Sequence, residues 1–388
     1  MRVLGIVTAW PRHSGDVITP WLQSMALALA PLGVTFEVMA PSWRGAAGGV
    51  HEGIRVHRFR YAWSALETLS HDLTVPDQLK REPWRLALLP GYLAGATRAV
   101  TTLLRRERFD VVHAFWPFPH AAPAWASGLL TGVPFVSSFF GAELALAERV
   151  PGGRRVVREL VKRSAAVTTV SRFTAARLRA MAPDVEPVVI PFGSTILPTE
   201  RRVATPRGSS LRAVFIGRLV ERKGVSVLLS ALEQLRDVEL EVLGDGPLRA
   251  ELERQARSLG ARVTFRGFVD DDEKRRALER AHVLVLPAIV DASGDTEGQG
   301  VVLLEAMALG RAVIASEVGG ITDMVTPANG LLVPPGDVSA LSTALARLRD
   351  DAALRDSLGE AGLQHVRENF SWSALAERVR AVYRVACA

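Results

Sequence analysis

The sequence has a single cysteine, Cys387, among 388 residues, so an internal disulfide is excluded and the composition fits a reducing compartment. Its place close to the carboxyl end predicts an inert thiol. Long apolar runs are also missing. The nearest candidate, 119–136, is interrupted by Pro123, Gly128, Gly132 and Pro134, which excludes a membrane-spanning helix there. The opening MRVLGIVTAW is short and leads into PRHSGD, the pattern of a first strand and not of a signal peptide. A cytoplasmic protein is expected.

Charge of one sign is only in small excess, 47 Lys and Arg against 41 Asp and Glu. The basic residues are spread through helical stretches such as RRVVRELVKR and TTLLRRER and do not alternate with aromatics, which argues against a nucleic-acid partner. Familiar nucleotide signatures are absent too. The first turn, TAWPRHSGD, holds Gly15 and Asp16 but no G-x-G-x-x-G, and MAPS closes the second strand without an acid for a ribose, so dinucleotide binding is disfavoured. GRLVERKG lacks the spaced glycines and the Lys-Ser/Thr pair of a P-loop, which disfavours triphosphate hydrolysis. The D-x-D of VDDDEKRR directly precedes a helix, where acids cap free amides and oppose the dipole, and no metal is expected there.

What is present is alternation. Strand Arg2 to Thr8, helix Val17 to Leu32 and strand Val34 to Ala40, with Gly33 where a left-handed cap belongs, open a βαβ pattern that continues to a strand at Pro187 to Pro191. The polar, proline-containing PTERRVATPRGSS reads as a linker, after which strands and helices alternate again. We therefore expect an N-terminal domain over 1–197, a linker over 198–210, a C-terminal domain over 211–370, and a terminal amphipathic helix, 371–388, packing back on the first domain. Both domains should be doubly wound parallel sheets with a shared cleft.

In such sheets ligands sit beyond the carboxyl ends of the strands. Two loops there carry unusual charge. AVFIGRLVERKG runs from a strand into a turn bearing Arg218 and Lys223, and TEGQGVVLLEAMALG carries Glu297 and Glu305. Glu305 lies in an otherwise apolar run, 301–309, with no polar face if helical, so it must be buried and satisfied by a partner, for which ligand hydroxyls are candidates. Cations on one loop and carboxylates on the other describe a pocket for a nucleoside-diphosphate sugar, with Arg218 and Lys223 opposing charge on the departing diphosphate. Gly298 and Gly300 would let backbone amides and the start of the apolar helix approach phosphates and sugar.

GRLVERKG, GDGPLRAELE, VTFRGFV, EGQGVVLLEAMALGRAVIAS, GGITDMV and NGLLVPPGD, in this order, resemble the retaining glycosyltransferases of family 4; DVVHAFW, SSFFGAEL, AAVTTVSRFTAARL and VVIPFGS resemble the family more loosely. The resemblance implies the GT-B fold, two Rossmann-like domains facing a cleft, and transfer of a sugar from a UDP- or GDP-sugar to a hydroxyl of a glycan, lipid-linked or small-molecule acceptor. It implies retained anomeric configuration by front-face attack, without metal or other cofactor. Glu297 would then lie near the donor sugar, with Arg218 and Lys223 on the diphosphate, as the catalytic group. Glu305 would hold the ribose, Gly244 and Gly267, Phe268 and Val269 would flank the nucleobase, and Gly217, Gly298, Gln299, Gly300 and Val301 would complete the donor site. Gly15 and Asp16 either approach the donor phosphate or simply form a turn.

The chain departs from the family pattern at Phe140, where many relatives carry a histidine, at Phe192, where Asn is frequent, and at Gln299, where an aromatic is usual. The contact that this histidine makes to the sugar is then either missing or supplied by His113 or Glu143, and His113, Phe140 and Glu143 are the acceptor-side candidates; a hydrogen-bonded structural histidine is the alternative for His113. The irregular segment from Tyr61 to Pro90, rich in Trp and Leu, is expected to cover the first domain's core, with contact to an anionic membrane as the other reading if Trp63 and Trp84 prove exposed. Competing functions are a GT-B epimerase or phosphorylase and a non-catalytic nucleotide-sugar sensor or partner subunit.

Overall fold

A computed structural model of the chain describes residues 1–13, 16, 18–71, 81–203, 210–292 and 294–388. Gly15 lies outside the described residues. The chain divides into two units, Met1–Ile190 together with Leu375–Ala388, and Pro191–Ala374.

The first unit holds β1 (Arg2–Ile6), β2 (Thr35–Pro41), β3 (Gly49–His51), β4 (Ile54–Phe59), β5 (Val111–Phe115), β6 (Phe135–Phe139), β7 (Ala166–Thr169) and β8 (Val188–Val189). They form one sheet in the order β3-β4-β2-β1-β5-β6-β7-β8. Its central strands are buried on both faces, as in a sheet covered by helices on each side: all of β5 is buried, as are Val3 to Ile6 of β1. The β3–β4 pair is antiparallel, an edge hairpin that periodicity alone does not reveal. Its signal is local, because Glu52 and Gly53 both take positive φ, as a two-residue hairpin turn demands. The first helix is shorter than expected, Pro20–Leu29, and starts on a proline whose fixed φ suits a first helical position. A 3-10 turn follows, and Gly33 caps it at φ 74, as the sequence predicts.

The second unit holds β9 (Leu211–Ile216), β10 (Val238–Leu243), β11 (Val263–Gly267), β12 (Val283–Leu286), β13 (Ala312–Ser316) and β14 (Leu331–Val333). All neighbours are parallel, in the order β11-β10-β9-β12-β13-β14. The winding reverses between β9 and β12, and the loops leaving these two strands flank a topological switch point, the usual ligand position in an open α/β sheet. These are the loops of Arg218 and Lys223 and of Glu297.

The units change over at Ile190/Pro191, ahead of the polar stretch 198–210 read as the linker. The reason is hydrogen bonding. Phe192 and Thr195 already bond to Gln299 and Glu305, and Thr199 and Val203 donate their amides to Ala308 and Leu309, so these residues are pinned to the second unit. The terminal helix, Trp372–Cys387, buries Leu375, Ala376, Val379, Val382, Tyr383 and Ala386 at helical spacing, and from Leu375 onward it belongs to the first unit. Among the described residues, no helix is long and apolar enough to cross a membrane.

Candidate active site

β9 ends at Ile216, and the chain then passes through Gly217 and Arg218 into a 3-10 turn, Glu221–Lys223, and the helix Val225–Glu233. Arg218 is exposed. The ends of β9, β10 and β11 converge closely here. A Cβ on Gly244, at φ 136, would fall 1.9 Å from the carbonyl oxygen of Gly217, and the Gly244 amide donates to Gly267 O at 2.8 Å. Only glycine permits this approach. Next to Gly267, the Phe268 ring is 83% exposed.

The loop after β12 carries the second group. Lys223 Nζ makes an ion pair with Glu297 Oε2, joining the two loops at the switch point. The other oxygen, Oε1, accepts the Gly300 amide at 3.0 Å and the Gln299 amide at 3.4 Å. Burial by itself would raise the Glu297 pKa, but the Lys223 charge beside it and the hydrogen bonds hold it below the usual carboxylate range. An ionised carboxylate thus stands against a cation at the carboxyl ends of β9 and β12. Gly300, at φ 84, is the N-cap of the helix Val301–Ala308, and Gly298 is half-buried in the turn before it.

That helix is buried from Val302 to Ala308, Glu305 included, as expected of a run without a polar face. The partners of Glu305 differ from the ligand hydroxyls the sequence proposes. Thr195 Oγ1 and Lys274 Nζ, the latter at 2.8 Å, both donate to Glu305 Oε1. Lys274 also lies 2.9 Å from Asp271 Oδ1. Burial depresses an ammonium's pKa, yet the Glu305 carboxylate raises that of Lys274 above its ordinary value. Sequence reasoning missed Lys274, although a signal existed: it stands at helical spacing from Ala277 and Leu278, the buried residues of the helix Asp271–Arg280, so it is a cation on an inward face. Asp270, from the D-x-D, accepts the Glu273 amide as a helix cap.

Three predicted residues have other duties. Gln299 is 2% exposed, and its amide accepts from Phe192 N at 2.7 Å and donates to Phe192 O at 2.8 Å, so its side chain clamps the segment entering the second unit and does not face a donor. His113 lies within β5, not at a strand end. It is 3% exposed, with Nδ1 at 2.8 Å from Tyr383 Oη and Nε2 at 2.6 Å from Ser138 Oγ, so both nitrogens are taken and direct acceptor contact is ruled out. Burial pushes its pKa down to about 3. Asp16 is bonded within its own loop, to Arg12 Nε at 2.6 Å and Arg12 N at 2.9 Å; burial raises its pKa, but Arg12 holds it below the usual range.

Phe140 does not stand alone. It follows β6 and meets Trp116, which follows β5, at 5.0 Å between ring centroids, and Trp21 of the first helix at 5.4 Å. The three half-buried rings form a cluster at the carboxyl edge of the first sheet that one sequence position at a time does not disclose. Glu143 lies in the first turn of the helix Ala142–Arg149, three residues after Phe140. Its Oε1 accepts the Phe140 amide at 2.6 Å, its buried Oε2 has no hydrogen-bond partner among the described residues, and burial pushes its pKa up to about 7. A groove of about 1000 Å³ elsewhere in the first unit, lined by Arg55, His57, Arg98 and Arg106 among others, includes none of the candidate residues.

Comparison with known proteins identifies the family. The model of the glycosyl transferases group 1 matches residues 210–351, and that of glycosyltransferase family 4 matches residues 21–193. The chain is 30% identical over 338 residues to a GDP-mannose-dependent monoacylated alpha-(1-6)-phosphatidylinositol monomannoside mannosyltransferase of Corynebacterium glutamicum, covering 83% of this chain and 87% of that protein. It is 33% identical over 286 residues to a phosphatidyl-myo-inositol mannosyltransferase of Mycobacterium leprae, covering 71% and 73%. Among solved structures, sucrose-phosphate synthase from Thermosynechococcus elongatus matches with a TM-score of 0.75 at 23% identity, covering 99% of this chain and 98% of that one. The catalytic domain of starch synthase IV from Arabidopsis thaliana, bound to ADP and acarbose, matches with a TM-score of 0.73 at 14% identity, covering 100% and 99%.

Proposed function

The chain belongs to glycosyltransferase family 4 and is a glycosyltransferase of GT-B fold, and from that premise we propose that it moves a sugar from a nucleoside-diphosphate sugar to an acceptor hydroxyl with retention and without a metal. The observation that carries this reading is the Lys223–Glu297 pair joining the two loops of the switch point. Arg218 and Lys223 oppose the negative charge that grows on the diphosphate as the anomeric C–O bond breaks. Glu297 lies at the sugar, Glu305 accepts from the ribose, and Phe268 and Val269 flank the base. The acceptor oxygen bonds to the anomeric carbon on the face the diphosphate leaves, and a diphosphate oxygen takes its proton. No protein nucleophile is required.

The names of the mannosyltransferase relatives favour GDP-mannose as the first donor to try and an inositol-lipid acceptor. The cluster of Trp21, Trp116 and Phe140 offers the first unit's acceptor side an aromatic wall. Peripheral contact with a membrane fits the same acceptor: Trp63 is 82% exposed, Trp84 51% and Leu86 58%, which is not how a segment that only covers a core is built.

The test is thermal stabilisation by GDP-, UDP- and ADP-sugars, repeated with Glu305→Ala and Arg218→Ala, followed by product analysis with labelled donor. One nucleotide series should raise the melting temperature of the parent and not of the variants. The transferred sugar should keep its anomeric configuration in the presence of EDTA. An inverted product, or turnover only with added metal, overturns the mechanism.

A further inference from the structure

Glu305 accepts from two donors, and both fall on the same oxygen. Thr195 Oγ1 and Lys274 Nζ bond to Oε1, and among the described residues none donates to Oε2. A carboxylate has acceptor sites on both oxygens, so this arrangement holds one oxygen and keeps the other available. The surroundings make the pairing costly. The helix Val301–Ala308 is apolar apart from Glu305, and an ion pair in such a place stabilises a fold no better than packed hydrocarbon of the same volume. The side chains of Lys274 and Glu305 are 17% and 7% exposed, so solvent does little to relieve that cost.

We propose that Lys274 and Thr195 are positioning residues for donor recognition: together they fix Glu305 Oε1 so that Oε2 is presented to the hydroxyls of the donor's ribose. This rests on the reading above that the second unit binds a nucleoside-diphosphate sugar with Glu305 at the ribose. Lys274 supplies a positive charge 2.8 Å from Oε1, the partner that a buried carboxylate requires. Thr195 supplies direction, because its short side chain comes from the segment clamped three residues earlier, where Gln299 holds Phe192. Asp271 on the far side of the ammonium keeps Lys274 itself in place.

The experiment compares GDP and UDP with their 2′,3′-dideoxy counterparts, by calorimetric affinity and melting temperature, on the parent chain and on Lys274→Met, Lys274→Arg and Thr195→Val. The parent should prefer the ribose form of one nucleotide by about 10- to 100-fold, the range of one hydrogen bond to a charged group. Lys274→Met should shrink that preference to within about threefold of unity, Lys274→Arg should restore most of it, and Thr195→Val should fall between. Affinity for the dideoxy form should stay nearly constant throughout. A purely structural role would weaken both forms equally, and an undiminished preference in Lys274→Met and Thr195→Val overturns the proposal. Should Lys274→Met not fold, Thr195→Val and Lys274→Arg carry the comparison. A parent that binds no nucleotide overturns the donor reading, and this inference with it; a parent that binds without any ribose preference overturns this inference alone.

Discussion

Lys223 and Glu297 share one ion pair across two loops, and the carboxylate's second oxygen accepts the Gly300 amide at 3.0 Å. The negative group is thereby held by a side chain of one loop and by the backbone of its own. Removing either partner should therefore disturb the other. We expect Lys223→Met to lower kcat/KM by ~10²- to 10³-fold, the usual loss when one charge-stabilising donor is deleted. Glu297→Gln should show a loss of similar order, and the double variant should fall well short of the product of the two, with a coupling of about 0.5–3 kcal/mol. Additive losses in a double-mutant cycle would mean the pair does not act as a unit.

His113 predicts an acid-side dependence of stability. Its folded pKa, about 3, lies below the ordinary value of 6.5, so the unfolded chain takes up the proton first. The contribution is complete above pH 6.5 and is lost as the pH falls from there toward 3, by at most about 1.4 kcal/mol per pH unit. His113→Gln should flatten this part of a melting-temperature profile between pH 5 and 7. Tyr383→Phe, which leaves His113 Nδ1 buried without its partner, should cost about 1–3 kcal/mol at pH 7.

Glu143 predicts the opposite slope. Burial raises its folded pKa to about 7 against an ordinary 4.5, so the folded chain keeps the proton longer. Stability from this group is complete below pH 4.5 and declines as the pH rises through 7. Glu143→Gln should remove the decline and stabilise the protein at pH 8, read as a higher Tm than the parent at that pH and near equality at pH 4.5. A parent-like slope in the variant would assign the pH dependence elsewhere.

Trp63 and Trp84 predict vesicle binding. The parent should co-sediment with vesicles containing phosphatidylinositol, and the paired change Trp63→Ser with Trp84→Ser should weaken this by roughly tenfold or more, about what burial of one large apolar side chain contributes. Stabilisation by nucleotides should be unaffected. No parent binding to anionic vesicles would return these side chains to ordinary exposed surface.

Much of the arrangement at the carboxyl edge of the second sheet is legible in the sequence because it is local. The turn after β9, the glycines before the apolar helix and the isolated Glu305 are each marked by a residue whose chemistry contradicts its neighbours. The carboxyl edge of the first sheet is less legible. Phe140 reads only as a missing histidine, whereas its meaning depends on Trp21 and Trp116, which come from other elements. His113 reads as an acceptor-side candidate because its hydrogen-bond partner Tyr383 lies at the far end of the chain.

The alternation of strands and helices, the all-round burial of the helix Val301–Ala308 and the left-handed cap at Gly33 were determined by the sequence alone, since period, hydropathy and backbone freedom act over a few residues. Which groups satisfy the buried charges was decided only by the tertiary structure. Lys274 and Thr195 reach Glu305, Lys223 reaches Glu297 and Gln299 turns to Phe192 because the winding order of the second sheet brings these segments together. A buried polar group's partner is set by proximity in space, which pattern along the chain does not encode.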